Sequence, residues 1–150
     1  MEILLVIDIQ QKYINSYEPD LITRVNTRIR EAVEADVPVV YIRNVGKIEN
    51  IDNYNLADGL DIVSDCSFTK MWPSAFSSDD FVQFIENLKV DTINIVGVDG
   101  RCCVAHTAMD AIKRGYTVRI YLDSVAAMND KFFLKELPEM RDAGVEIIAD

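Results

Sequence analysis

Asp8, Lys70 and Cys103 lie far apart in the chain, yet each stands where an apolar stretch gives way to polar residues. Together they supply a carboxylate, an ammonium and a thiol, the parts of a nucleophilic centre. A thiol attacks a carbonyl once its proton is taken, and a carboxylate can take that proton and later activate water. A lysine between two anions would hold both and adjust their pKa values. Cys103 follows the turn Gly97-Val98-Asp99-Gly100-Arg101-Cys102 and opens a stretch of helical spacing. Free N–H groups and the dipole at a helix start favour negative charge, so the thiol is expected to have a lowered pKa. The same donors would suit an oxyanion. Each residue also has a plainer reading. Free cysteines are usually small buried hydrophobes, an aspartate closing a strand often caps a turn, and lysines usually lie on the surface.

The elements that must position these groups alternate between strand and helix. Residues 3–7 form a continuous aliphatic run, which predicts a strand covered on both faces. Leu21, Val25, Ile29, Ala32 and Val33 recur at helical spacing over 20–34, and residues 39–42 predict a second buried strand after Pro38. The stretch 44–65 is polar and weakly patterned, a long loop with at most a turn of helix. A short strand around Phe68 ends near Lys70. Ser77 or Ser78, followed by two aspartates, predicts a capped helix carrying Phe81, Phe84, Ile85 and Leu88. Further strands are expected at 92–98, 117–122 and 145–148. Helices are expected at 103–114, closed by Gly115, and at 131–142, interrupted or bent by Pro138.

Such alternation predicts a three-layer α/β/α sandwich with a mostly parallel, Rossmann-like sheet. In open sheets of this kind ligands gather beyond the carboxyl ends of the strands. Asp8, Arg43, Lys70 and the 98–103 turn all fall at such ends. No internal repeat, low-complexity segment or linker interrupts the chain, and 150 residues suit a single domain over 1–150.

Composition narrows the partners. The formal net charge is −10, and no basic cluster is present to hold phosphate, so nucleic acid and anionic membranes are not expected. The early apolar run is too short to span a bilayer and lacks the features of a signal peptide. Three cysteines, two of them adjacent at Cys102 and Cys103, make a poor disulfide framework and suit a reducing, cytoplasmic setting. The lone histidine, His106, lies one helical turn beyond Cys103, where it would point away from the crevice. One His and no Cys-x-x-Cys pair leave a conventional zinc site short of ligands. No phosphate loop or dinucleotide fingerprint appears, and no cofactor is expected.

Three segments carry a family resemblance: Leu5-Val6-Ile7-Asp8-Ile9-Gln10-Gln11-Lys12-Tyr13, then Lys70-Met71-Trp72-Pro73-Ser74-Ala75-Phe76, then Gly97-Val98 through Cys103-Val104 with Thr107-Ala108, Asp110-Ala111 and Gly115-Tyr116. In order and spacing they resemble the isochorismatase-like cysteine hydrolases, which include nicotinamidases and N-carbamoylsarcosine amidases. The resemblance implies a six-stranded parallel sheet with Cys103 as nucleophile, Asp8 as base and Lys70 as electrostatic partner. It also implies a cis peptide between Val98 and Asp99, with the N–H groups of Asp99 and Cys103 as the oxyanion hole. The implied reaction is hydrolysis of a C–N bond in a small molecule through a thioester, with relatives often dimers or tetramers.

Departures qualify the likeness. The turn Asp99-Gly100-Arg101-Cys102 places an extra acid and a cation where relatives more often have small residues, Thr and Asp. No histidine lies between the second strand and Lys70, so the nicotinamidase metal site cannot be built in the usual way. The cysteine argues against the vinyl-ether hydrolysis of true isochorismatases, which lack it. The chain is shorter than most relatives where substrate loops are expected. Tyr13 and Trp72 are candidate pocket residues, Arg43 a candidate carboxylate or carbonyl ligand, and Phe76 a core residue. A non-catalytic binding or assembly protein is the competing reading. A receiver-like domain would need further acids beside Asp8, where Gln10 and Gln11 stand instead.

Overall fold

The computed structural model describes residues 1–46 and 54–149. Six strands form one sheet: β1 (Glu2–Ile7), β2 (Val39–Asn44), β3 (Ser67–Lys70), β4 (Thr92–Gly97), β5 (Thr117–Val125) and β6 (Glu146–Ile148). The helices are α1 (Gln11–Ile14), α2 (Leu21–Glu34), α3 (Asp79–Asn87), α4 (Cys103–Lys113) and α5 (Asp130–Asp142). All five neighbouring strand pairs are parallel. Their order is β3-β2-β1-β4-β5-β6, so the winding direction reverses between β1 and β4. That reversal leaves a crevice at the carboxyl ends of the two strands, where Asp8 and the turn leading to Cys103 meet.

The aliphatic runs are continuous because each strand feeds two cores. From β1, Ile3, Leu5 and Ile7 join α3, α4 and α5 on one face, while Leu4 and Val6 join α2 on the other. Ser78 caps α3 by accepting from the Phe81 N–H at 3.2 Å, and Asp79 and Asp80 occupy the first turn, where negative charge suits the dipole. Gly115, at φ 92°, follows α4 and provides the left-handed stop.

Two segments are more regular than their residues suggest. The α5 helix runs through Pro138 without interruption. Pro138 lies on the exposed face with Leu134, so the carbonyl that loses its intrahelical donor can bond water. The loop 44–65 is also better built than its polar composition suggests. Tyr54, Ala57 and Leu60 are buried, the Tyr41 hydroxyl donates to the Asp61 carbonyl at 2.6 Å, and Leu56 pairs with Gln10 as an antiparallel bridge. Residues 47–53 of that loop, and with them part of the expectation of a helical turn, lie outside the described residues.

Gly97 closes β4 with φ 124°. A Cβ there would overlap the Ile7 carbonyl oxygen, so only glycine lets the ends of β1 and β4 approach this closely.

Candidate active site

Asp8 follows β1 in a left-handed conformation, φ 55°, which aspartate tolerates better than most residues with a side chain. Its N–H extends the ladder to the Ile42 carbonyl at 3.0 Å. Lys70, the last residue of β3, has a fully buried side chain. Its ammonium donates to Asp8 Oδ2 at 3.1 Å and to Cys103 Sγ at 3.3 Å. Cys103, at the start of α4, is buried too. Three strand ends thus deliver a carboxylate, an ammonium and a thiol to one point.

The other carboxylate oxygen, Asp8 Oδ1, is buried and forms no hydrogen bond among the described residues. Such an atom costs stability unless a partner arrives. With no donor on it, Oδ1 is free to receive a proton.

Burial dominates the electrostatics. It pushes the Asp8 carboxyl above its ordinary value, against the opposing pull of Lys70. Burial first, then the Asp8 charge, push the Cys103 thiol up to about 12, while Lys70 pulls it down. The lowered thiol pKa expected from a helix start is therefore overturned: loss of water around sulfur outweighs the backbone donors. At neutral pH the sulfur rests as a thiol.

The turn before Cys103 supplies open donors. The Val98–Asp99 peptide is cis. Gly100 N–H bonds the Ala126 carbonyl, while Cys102 and Val104 N–H both bond the Asp99 carbonyl. Neither the Asp99 N–H nor the Cys103 N–H reaches an acceptor among the described residues. The unusual side chains of the turn point to other tasks. Arg101 pairs with Glu136 at 3.0 Å and lies over the Phe132 ring. The Asp99 carboxylate accepts from Arg101 N–H, Tyr17 OH and Met128 N–H. His106 is exposed, with Nδ1 2.7 Å from the Cys102 carbonyl oxygen, and so makes no pair with Cys103.

Among the remaining candidates, Tyr13 is half-buried on α1 and feels the charges of Asp8 and Cys103, although burial is the main cause of its raised phenol pKa. Trp72 is 55% exposed, two residues past Lys70. Phe76 is a core residue, edge-on to Phe81. Arg43 is not brought to the thiol. Along β2, Val39 and Tyr41 face the α2 core while Val40 and Ile42 face the α4 core, so the pleat turns Arg43 with the first pair and Asn44 with the second. Asn44, absent from the sequence reading, is the residue that arrives, with Nδ2 4.0 Å from Cys103 Sγ. Gln10 holds it there, accepting from Asn44 N–H at 2.7 Å and donating to the carbonyls of Asn44 and Tyr54. Strand parity and the neighbouring Asp-x-Gln were the available signals.

The chain is thus a parallel, doubly wound α/β domain with a buried thiol, carboxylate and ammonium gathered at its switch point. The isochorismatase domain family model matches residues 2–149, and the chain belongs to that family. It is 36% identical over 59 residues to nicotinamidase/pyrazinamidase of Mycobacterium tuberculosis, a match covering 39% of this chain and 32% of that enzyme. The solved pyrazinamidase of Pyrococcus horikoshii, in complex with zinc, superposes with a TM-score of 0.80 at 23% identity, covering 99% of both chains. The N-carbamoylsarcosine amidase of Thermoplasma acidophilum superposes with a TM-score of 0.82 at 20% identity, covering 98% of this chain and 95% of that one.

The pyrazinamidase of Pyrococcus horikoshii was solved in complex with zinc. Among the described residues no three His, Cys, Asp or Glu side chains are grouped to hold a metal ion. The β2 end offers Asn44, a weak ligand, and the single histidine stands on the outer side of α4. These residues do not fit a zinc centre.

Proposed function

We propose that the chain is a metal-independent cysteine hydrolase that cleaves an amide-type C–N bond of a small molecule through a thioester. The observation carrying this reading is the buried Asp8–Lys70–Cys103 contact at the switch point, with Asp8 Oδ1 left open. A thiol near pKa 12 needs a base in direct reach, and a buried carboxylate with raised proton affinity supplies one.

Asp8 takes the thiol proton as Cys103 Sγ bonds to the carbonyl carbon. The carbonyl electrons move to oxygen, which the Asp99 and Cys103 N–H groups receive. Collapse re-forms the carbonyl and expels the amine, protonated by Asp8. Water then gives a proton to Asp8 and attacks the thioester, releasing the acid and restoring the thiol. Lys70 balances negative charge on Cys103 and Asp8 throughout. Tyr13 and Trp72 would line the substrate side, and Arg43 would act only through a substrate portion reaching the other face of β2.

The test is ammonia release from a panel of small primary amides and carbamoyl compounds, with trapping of the acyl-enzyme by mass spectrometry. Turnover abolished in Cys103→Ala, with the acyl group on the Cys103 peptide, supports the reading. Binding without turnover or adduct would move the protein to the competing reading, a binding or assembly protein, which the high thiol pKa favours. The same proposal takes the protein as a cytoplasmic homo-oligomer, a dimer or tetramer, to be checked by sedimentation.

A further inference from the structure

Asp99 has two separate roles in the fold. Its N–H is one of the two open donors, while its carboxylate is fastened from three directions. Oδ1 accepts from the Arg101 N–H within the turn at 2.9 Å. Oδ2 accepts from the Met128 N–H beyond β5 at 2.9 Å and from the Tyr17 hydroxyl at 3.1 Å. Elsewhere the turn is already held: Gly100 N–H bonds the Ala126 carbonyl at 2.9 Å and Ala126 N–H bonds the Gly97 carbonyl at 3.2 Å. Gly100 also sits so close to Phe133 that a Cβ there would lie 2.8 Å from the ring. Among the described residues Tyr17 is the one side-chain donor on the Asp99 carboxylate, and it comes from the α1–α2 connection. Burial and the facing carboxylate hold its phenol well above its ordinary pKa, so it remains a donor at any working pH.

We propose that Tyr17 is a positioning residue which, through the Asp99 carboxylate, aims the Asp99 N–H at the oxygen of the attacked carbonyl. The inference rests on the cysteine-hydrolase reading. It predicts that a change at Tyr17 reaches steps that develop an oxyanion and leaves the thiol untouched. If the hydroxyl only fastened the α1–α2 connection, its loss would lower stability without separating the two.

Two reactions of Cys103 make the separation. Acyl transfer from 4-nitrophenyl acetate forms the Cys103–acetyl bond, expels nitrophenolate and passes through an oxyanion. Alkylation by iodoacetamide displaces iodide at a saturated carbon and forms none. Both are measured in a Cys102→Ser background, with the modified peptide identified by mass spectrometry. Tyr17→Phe is expected to slow acyl transfer about tenfold, less than the loss of a whole oxyanion donor, with alkylation unchanged. Asp99→Ala is expected to show the same separation, and the double variant to lose little more than either single one. Equal acyl-transfer rates in Tyr17→Phe and its parent, or a parallel fall in both reactions, would overturn the proposal. A parent protein that is alkylated at Cys103 but never acylated there would instead overturn the hydrolase reading, and this inference with it.

Discussion

Asn44 and Lys70 are paired in register across β2 and β3, and both side chains reach the sulfur of Cys103, Asn44 at 4.0 Å and Lys70 at 3.3 Å. The amide is oriented by Gly46, whose N–H donates to Asn44 Oδ1 at 3.1 Å, leaving Nδ2 toward the thiol. The Cys103 sulfur therefore has a cation and a neutral donor on the β2–β3 side and a carboxylate at β1.

Converting Asn44 to aspartate tests that arrangement. A new negative charge about 4 Å from sulfur is worth roughly 1 to 4 kcal/mol, depending on the effective dielectric. Asn44→Asp should raise the thiol pKa further and slow iodoacetamide alkylation of Cys103 at pH 8–9 by about tenfold. Asn44→Ala should stay within about threefold of the parent, because only a weak neutral donor is lost.

Asp8→Asn should move two readouts in opposite directions. Removing the carboxylate charge lowers the thiol pKa, since Asp8 raises it and Lys70 remains. Alkylation at pH 8 should speed up, while amide hydrolysis should fall by at least a hundredfold through loss of the base. Alkylation of the parent should keep rising from pH 7 to 10 without a plateau near 8.5. A plateau there would show an ordinary thiol.

The same carboxylate imposes a pH dependence on stability. Its folded pKa is raised above 3.8, so the folded state binds the proton more tightly than the unfolded chain. The stabilisation is full below 3.8 and is lost as pH rises through the raised folded value. Melting temperatures of parent and Asp8→Asn, compared from pH 3.5 to 7, should diverge over that window. Other acids largely cancel in the difference. Parallel curves would show that Asp8 is not desolvated in the folded protein.

Lys70→Met should be costly for a different reason. The side chain has 0% exposure, and its removal leaves the Asp8 charge buried without a partner, a loss of about 3 kcal/mol at neutral pH. Urea unfolding at pH 7 and pH 4.5 checks this, and the loss should shrink at the lower pH as Asp8 takes up a proton.

Asp8, Lys70 and Cys103 were legible because buried strands announce themselves as aliphatic runs, and the polar residue that ends such a run marks the crevice. The mostly parallel sheet with helices on both faces was expected from alternation, and all its neighbouring strands are in fact parallel. Arg43 and Asn44 were harder to separate: both end the same strand, and the charged residue drew attention although parity favoured its neighbour. The thiol pKa was misjudged because a helix start is visible in sequence, whereas burial of Cys103 depends on α4, β4 and the Ala75–Ser77 turn closing over it. The Tyr17–Asp99 bond spans 82 residues of sequence and has no local signature.

Gly97 gives the centre an uneven tolerance to change. Because a single added carbon would strike the Ile7 carbonyl, the gap between the ends of β1 and β4 is set by an atom that is not there. Redesign for stability would ordinarily replace such a glycine with a residue better suited to strands, and here that substitution would wedge Asp8 away from the turn that carries Cys103. Directed evolution of substrate range can therefore draw freely on the exposed rim at Met71, Trp72 and Met128, while the seam beneath it admits one residue type.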